Sequence, residues 1–492
     1  MSEFRKSATV WSPALLRVVG WLNVLLAVLM LIPAIVSAIV ADGQSHAFIL
    51  AAIITALVGG VPIVFTRGAE HRSIRRKESF LVVTLCWLLA SLFGSLPYII
   101  GGTLPHVPDA IFETVSGFTT TGASVIPDLE VVPFSVHLWR SITQWLGGMG
   151  IIVLTVAILP VLGIGGMELF ASEAPGPKTD KLTPRIKETA KRLWGIYMTL
   201  TVVCASLLFA GGMSVQDAIC HALTTVSSGG FGTRNASIAA WDSNMIRWTI
   251  TAFMFLAGTN VTLIYFLVQG KLKRLRRNEE FRFYVFLISG VVVLLIALLS
   301  ARPEQALAIR DVVFTVVSLV TTTGFVVAEY TTWMPIATMI FTLLLMVGAC
   351  AGSTSGGIKV VRHALMAKNT LLEPRRLMHP RGVIPVRFNG EGVATSTLYN
   401  IQAFIVLYFG IAAGSILILS LFGLDGATSL GAVLTSLGNV GPGLGEVGPA
   451  SNFASLPSPV NLFLCFLMIL GRLELFTVLI VLTPFFWSSY SR

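Results

Sequence analysis

Ten apolar runs punctuate this chain of 492 residues, at 19–40, 48–66, 79–100, 142–162, 193–210, 247–269, 283–300, 333–351, 400–422 and 460–485. Each is near the ~20 residues that a helix needs to cross the hydrocarbon core of a bilayer. Within that core every backbone N–H and C=O must find its partner inside the protein, so the runs are read as helices. Charged residues are only 12% of the chain and hydrophobic ones 54%, where a soluble domain carries about 25% charge. The stretches between the runs are too short for a sizeable soluble domain. An all-α polytopic membrane protein is the expected fold class. The basic stretch before the first run has no small-residue cleavage pattern, so no cleavable leader is expected.

The distribution of charge sets the topology. The formal net charge is +10, and 24 of the 34 Lys and Arg fall at 67–77, 178–192, 271–282 and 359–387. With Arg5 and Lys6 at a cytoplasmic N-terminus, every second connection is basic and lies on the same side, as the positive-inside rule requires. Ten spans then leave both termini in the cytoplasm. Charge dispersed over inner connections also argues against nucleic acid as a partner, and anionic lipid explains it. The alternate connections carry Asp109, Glu113, Asp128, Glu130, Asp217, Asp242, Glu304, Asp311, Glu329, Asp425 and Glu446. An acidic outer face suits a cation arriving from outside. Cys86, Cys204, Cys220, Cys350 and Cys465 lie in or beside apolar runs with no metal-ligand or redox spacing, and read as small buried hydrophobes.

The last four outer connections share a motif. FTTTGA at 118–123, VSSGGF at 226–231, VTTTGF at 320–325 and LGNVGP at 437–442 align on Gly122, Gly230, Gly324 and Gly441. Asp109, Asp217 and Asp311 stand thirteen residues before the first three glycines, and Ser116, Thr224, Ser318 and Thr435 stand six before all four. One such match means little, since small residues also aid helix packing in membranes. Four in corresponding places are an internal repeat, which takes precedence in any reading of fold. The pattern predicts a re-entrant hairpin. Asp caps a short helix, about nine residues or 13 Å long, and glycine then lets the chain turn back. Irregular backbone at membrane depth is tolerated where it lines a water-filled path or is buried in protein. Four such segments about one axis can present carbonyls to a cation in place of its hydration shell.

These residues resemble the Trk/Ktr/HKT superfamily of potassium transporters, over roughly 79–490, and two extra spans before the first unit match its Trk branch. The resemblance implies four helix–pore loop–helix units around one ion pore plus two N-terminal transmembrane helices. The units are expected at 79–192, 193–281, 282–392 and 393–492, after the helices of 1–78. It implies a potassium-binding filter at Thr120, Thr121 and Gly122, at Ser228, Gly229 and Gly230, at Thr322, Thr323 and Gly324, and at Asn439, Val440 and Gly441. Some sodium-transporting relatives carry serine at the first anchor, so Gly122 favours potassium. The fourth loop departs from the Thr-rich pattern.

Two further features lie inside spans. GACAGSTSGG at 348–357 puts Gly348, Gly352, Ser353, Thr354, Ser355, Gly356 and Gly357 where a helix should continue. Each Gly costs a helix about 1 kcal/mol relative to Ala, so a break that acts as a gate is expected, with a packing kink as the alternative. The resemblance implies the same, an intramembrane gating loop. Arg472 falls near the middle of the last span, where a charge costs at least ~2.5 kcal/mol and should face a cavity or a partner. Glu474, two residues on, points to another helix face. The resemblance implies that Arg472 sits in the pore beside the gating loop; an interhelical tie is the alternative.

The function expected is potassium uptake through a gated pore. Sodium or sodium-coupled potassium transport by the same pore remains open, because each loop has one anchor glycine rather than two. A membrane-embedded enzyme would need clustered ionisable residues at membrane depth, and the spans offer almost none. No cofactor is expected beyond K+ as the transported ion. The resemblance implies a homodimer in a bacterial inner membrane with a cytosolic nucleotide-binding regulatory subunit of the TrkA type.

Overall fold

The computed structural model describes residues 12–68, 76–150, 186–301 and 308–487. Among the described residues, six of the apolar runs form helices long and apolar enough to span, at Pro13–Val40, Ser45–Phe65, Lys77–Ile100, Lys191–Ala210, Glu279–Ser300 and Thr395–Leu421. Two runs expected as single spans, 247–269 and 460–485, are broken instead. Asn244–Ala257 meets Val261–Val268 at 111°, and Ser458–Arg472 meets Phe476–Leu482 at 118°. The first break restarts at Asn260, whose side-chain oxygen accepts from the Thr262 N–H at 2.8 Å, a local N-cap. The second passes through Glu474 and Leu475 in the left-handed region, at φ +60° and +45°. The run at 333–351 is helical only over Pro335–Leu344. The run at 142–162 is helical over Phe134–Gly148. Its expected continuation over 151–162 lies outside the described residues, as do Arg5, Lys6 and the basic residues of 178–185.

The two N-terminal helices form an antiparallel hairpin whose turn carries Asp42. That carboxylate accepts from the Gln44 N–H at 3.3 Å and from the Ser135 N–H at 2.9 Å. The second bond anchors the hairpin to the start of the helix Phe134–Gly148. Thereafter a long helix, a short helix, an extended loop and a second helix recur four times. The short helices are Val107–Phe118, Val215–Val226, Ile309–Val320 and Gly426–Gly438, of 12, 12, 12 and 13 residues. At 1.5 Å per residue they are about 18–20 Å long, longer than foreseen but still too short to cross.

Their N-termini correct one expectation. Asp109, Asp217 and Asp311 are not caps; the caps are His106, Ser214 and Ala308, and each Asp is the third helical residue. In the fourth unit Asp425 is the cap itself, in register with the other three caps relative to the anchor glycine. Every unit keeps a carboxylate at the helix start, at the cap or in the first turn, because the positive end of the helix dipole favours one at either place. A two-stranded ribbon, Arg387–Phe388 with Glu391–Gly392, was not foreseen. Its turn is Asn389–Gly390, both at positive φ, the dipeptide that favours a tight hairpin.

An ion pair buried within unit one also ties that unit to unit two. Arg140 Nε donates to Glu113 Oε1 at 2.8 Å, with the two side chains 1% and 0% exposed. Glu113 also accepts from the Val125 N–H, and Arg140 donates to Gly232 O at 3.0 Å. The pair therefore fastens the chain beyond the loop of unit one to that of unit two. Removing one member of such a pair strands a charge, at a cost of about 3–5 kcal/mol. Arg140→Met should lower the melting temperature in detergent sharply, and Glu113→Gln added to it should recover much of the loss.

Candidate functional site

All four loops close on their helices in the same way. The N–H before each anchor glycine bonds back to the carbonyl five residues earlier: Thr121 to Ser116 at 2.9 Å, Gly229 to Thr224 at 2.8 Å, Thr323 to Ser318 at 2.9 Å and Val440 to Thr435 at 3.0 Å. The residue before each of these donors also bonds back, to Gly117, Thr225, Leu319 and Ser436. This paired closure needs a left-handed residue. It falls on Thr120, Ser228, Thr322 and Asn439, at φ +54°, +55°, +54° and +53°. Left-handed backbone is costly for any side chain but glycine and worst for a branched one, so four repetitions mark a geometry the surroundings enforce. What Ser116, Thr224, Ser318 and Thr435 share is therefore a carbonyl acceptor. Their hydroxyls differ, that of Ser318 donating to Phe325 O at 2.8 Å.

The anchor glycines follow at φ +84°, +75°, +77° and +103°, and each abuts the next loop in a closed cycle. A Cβ on Gly122 would fall on Gly229 O, one on Gly230 on Thr323 O, and one on Gly324 on Val440 O. One on Gly441 would lie 2.7 Å from Thr121 O, completing the circuit. Four loops thus surround one axis, each with a carbonyl against the α-carbon of a neighbour. The N-terminal ends of the short helices hold acid. Two N–H bonds to Asp425, from Ala427 at 3.0 Å and Thr428 at 3.2 Å, accompany a Thr428 side-chain bond that leads in holding its carboxyl below the usual value.

The glycine-rich stretch at 348–357 is a loop folded against the other side of this ring. Gly348 N donates to Ile358 O at 2.9 Å, which closes the loop at its base. Thr354 Oγ1 meets Ser228 Oγ at 2.8 Å, and Gly356 N donates to Thr322 Oγ1 at 2.7 Å. A Cβ on Gly356 would lie 2.6 Å from Gly438 O. The loop therefore touches the loops of units two, three and four at their left-handed residues or beside them. Ala351 N donates to Glu280 at 2.5 Å, and Lys359 Nζ to the Ser355 carbonyl. Arg472 donates to Thr354 O at 2.7 Å and to the carbonyls of Gly147 and Gly148.

Arg472 is the last residue of its helix, at the break, rather than mid-span as expected. Glu474 lies in the break rather than on another helix face, and pairs with Arg362. The structure brings together all twelve residues expected of the loops, and sets Arg472 on the glycine-rich segment. The sequence reading missed Glu280, Lys359, Arg140 and Gln144, which lie in other units or outside any motif.

Residues 44–489 match the sequence profile of TrkH, described as a cation transport protein. The chain belongs to the TrkH family. It is 40% identical over 489 residues to the Trk system potassium uptake protein TrkH of Halomonas elongata, covering 96% of this chain and 99% of that one. To the protein of the same name in Escherichia coli K12 it is 37% identical over 483 residues, covering 97% and 99%. The crystal structure of the potassium transporter TrkH from Vibrio parahaemolyticus superposes with a TM-score of 0.86 at 35% identity, covering 97% of this chain and 99% of that one.

The cycle of carbonyls ranks the glycines. Alanine at Gly122, Gly230 or Gly324 should destabilise the ring most, because the blocking atom is backbone and yields only if its loop shifts. Alanine at Gly441, where the approach is looser, should be the mildest of the four. Yield of inserted protein and melting temperature in detergent, compared across the four variants, check this order.

Proposed function

We propose that the chain takes up potassium across the cytoplasmic membrane of a bacterium, through a pore whose selectivity filter is the ring of four loops. The closed cycle of glycines and carbonyls about one axis carries this reading, since desolvating a cation requires several fixed oxygens at once. The C-terminal ends of four short helices face the same region and add negative potential. An inside-negative membrane drives influx by about 2.3 kcal/mol per charge per 100 mV. The relatives are named as potassium uptake proteins, which favours potassium over the sodium-coupled alternative and transport over catalysis. Uptake of rubidium into proteoliposomes, with sodium as competitor, tests it. Gly122→Ser should let sodium compete more strongly; an unchanged preference removes Gly122 from the filter.

The loop 348–357 is the gate in this reading, pressed against the inner mouth of the filter, with Arg472 as its latch. The relatives are named as proteins of a Trk system, which supports the presence of further components; a homodimer and a cytosolic nucleotide-binding regulatory subunit of the TrkA type complete this reading. The short basic helix Leu272–Arg277, with no buried residue, offers that subunit a docking surface. Both termini lie in the cytoplasm.

Two substitutions separate the latch from a charge in the ion path. Arg472→Ala removes both, so flux should rise. Arg472→Lys keeps the charge but loses the planar fork that reaches carbonyls on two sides. Flux raised by both variants identifies the latch; flux raised by alanine alone makes the charge itself the brake.

A further inference from the structure

The four loops are alike in backbone but not in what supports them. Before its anchor glycine the first loop has Thr121 and the third Thr323, whose hydroxyls meet those of Thr119 and Thr321 at 2.8 Å. The fourth loop has Val440, which is fully buried. The second loop has Gly229, with no side chain to hold it. Nothing in the backbone demands glycine there, because Gly229 is not among the glycines at positive φ.

The place of the missing side chain is taken by another unit. A Cβ on Gly229 would run into Oε1 and Cδ of Gln144, with Cγ at 2.9 Å. Gln144 is fully buried on the helix Phe134–Gly148 of unit one. Its Nε2 donates to Gly229 O at 2.6 Å, and its Oε1 accepts from the Phe231 N–H at 3.0 Å. The amide therefore brackets the anchor Gly230 on both sides. Gly229 O is also the carbonyl against which Gly122 packs. Arg140, one turn earlier on the same helix, reaches Gly232 O of the same loop, so one helix face serves the loop of its neighbour.

We infer that Gln144 is a positioning residue for ion selectivity, supplying from the first unit the side chain that the second loop lacks and fixing the orientation of its carbonyl. This rests on the reading of the four loops as the filter. A space-filler needs only volume. A positioning amide needs its donor and acceptor, since the Gly229 carbonyl has no side-chain restraint of its own.

The test uses the full-length protein in proteoliposomes, with rubidium uptake and sodium as competitor, and melting temperature in detergent on the same preparations. Gln144→Ala should lower the sodium concentration that halves uptake about tenfold, the scale of one buried hydrogen bond. Gln144→Glu, with equal volume and no N–H donor, should lose selectivity likewise. Gly229→Thr alone should melt early, because Gln144 occupies the space. Combined with Gln144→Ala it should regain both stability and sodium rejection, the introduced hydroxyl finding Ser227 as Thr121 finds Thr119.

Unchanged sodium competition in Gln144→Ala, while Gly122→Ser shifts it, overturns the inference and leaves the filter standing. So does full selectivity in Gln144→Glu, or a double variant no better than Gly229→Thr. If Gly122→Ser leaves competition unchanged as well, the filter reading fails and this inference with it.

Discussion

Backbone polar groups inside a membrane-spanning protein have no water to turn to, and the structure is organised around satisfying them where the chain is not helical. Each re-entrant loop solves this identically, folding two N–H groups back onto its own helix through one left-handed residue. That closure turns the chain toward the axis. It also exposes the next carbonyl, which lies against a glycine of the adjoining loop. The ring is therefore a consequence of local hydrogen bonding repeated four times, and the glycines are the places where backbone meets backbone.

The symmetry ends beyond the ring. The second helices of units two and four bend sharply, that of unit one ends at Gly148 among the described residues, and unit three inserts ten residues of irregular chain. Ser353 and Ser355 bond within that insert. Charged groups flanking it or from elsewhere add to this: Glu280 on one N–H, Lys359 and Arg472 on two carbonyls. Charge-assisted bonds to backbone are strong individually, and here they are few, as the proposed gate requires. Glu280, Lys359 and Arg472 are far apart in the chain and Arg472 also reaches unit one, so a shift in any of them bears on the loop.

Much of this was legible in the chain. The apolar runs implied helices because a bilayer admits little else. The recurrence of Gly122, Gly230, Gly324 and Gly441 exposed the repeat, and GACAGSTSGG marked the break, since clustered glycine is incompatible with a stable helix. Residues 257–260 and 472–475 hold no comparable glycine cluster, and Arg472 marked a charge rather than a break; those helices break through a polar cap and two strained angles. The three aspartates were visible as a repeat, but their place in the first turn was not, because cap and third position both suit a carboxylate.

What the sequence by itself determined was the class of fold, the number of units and the points where the chain must turn, all properties of local pattern against a fixed bilayer thickness. Only the tertiary structure decided which groups distant in the chain meet: Arg140 with Glu113 and the second loop, Gln144 in the space beside Gly229, Arg472 on Thr354. Those partners lie 27 to 118 residues apart along the chain. Their pairing depends on how four similar units are rotated about a common axis, and side-chain identity at one position carries no record of that rotation.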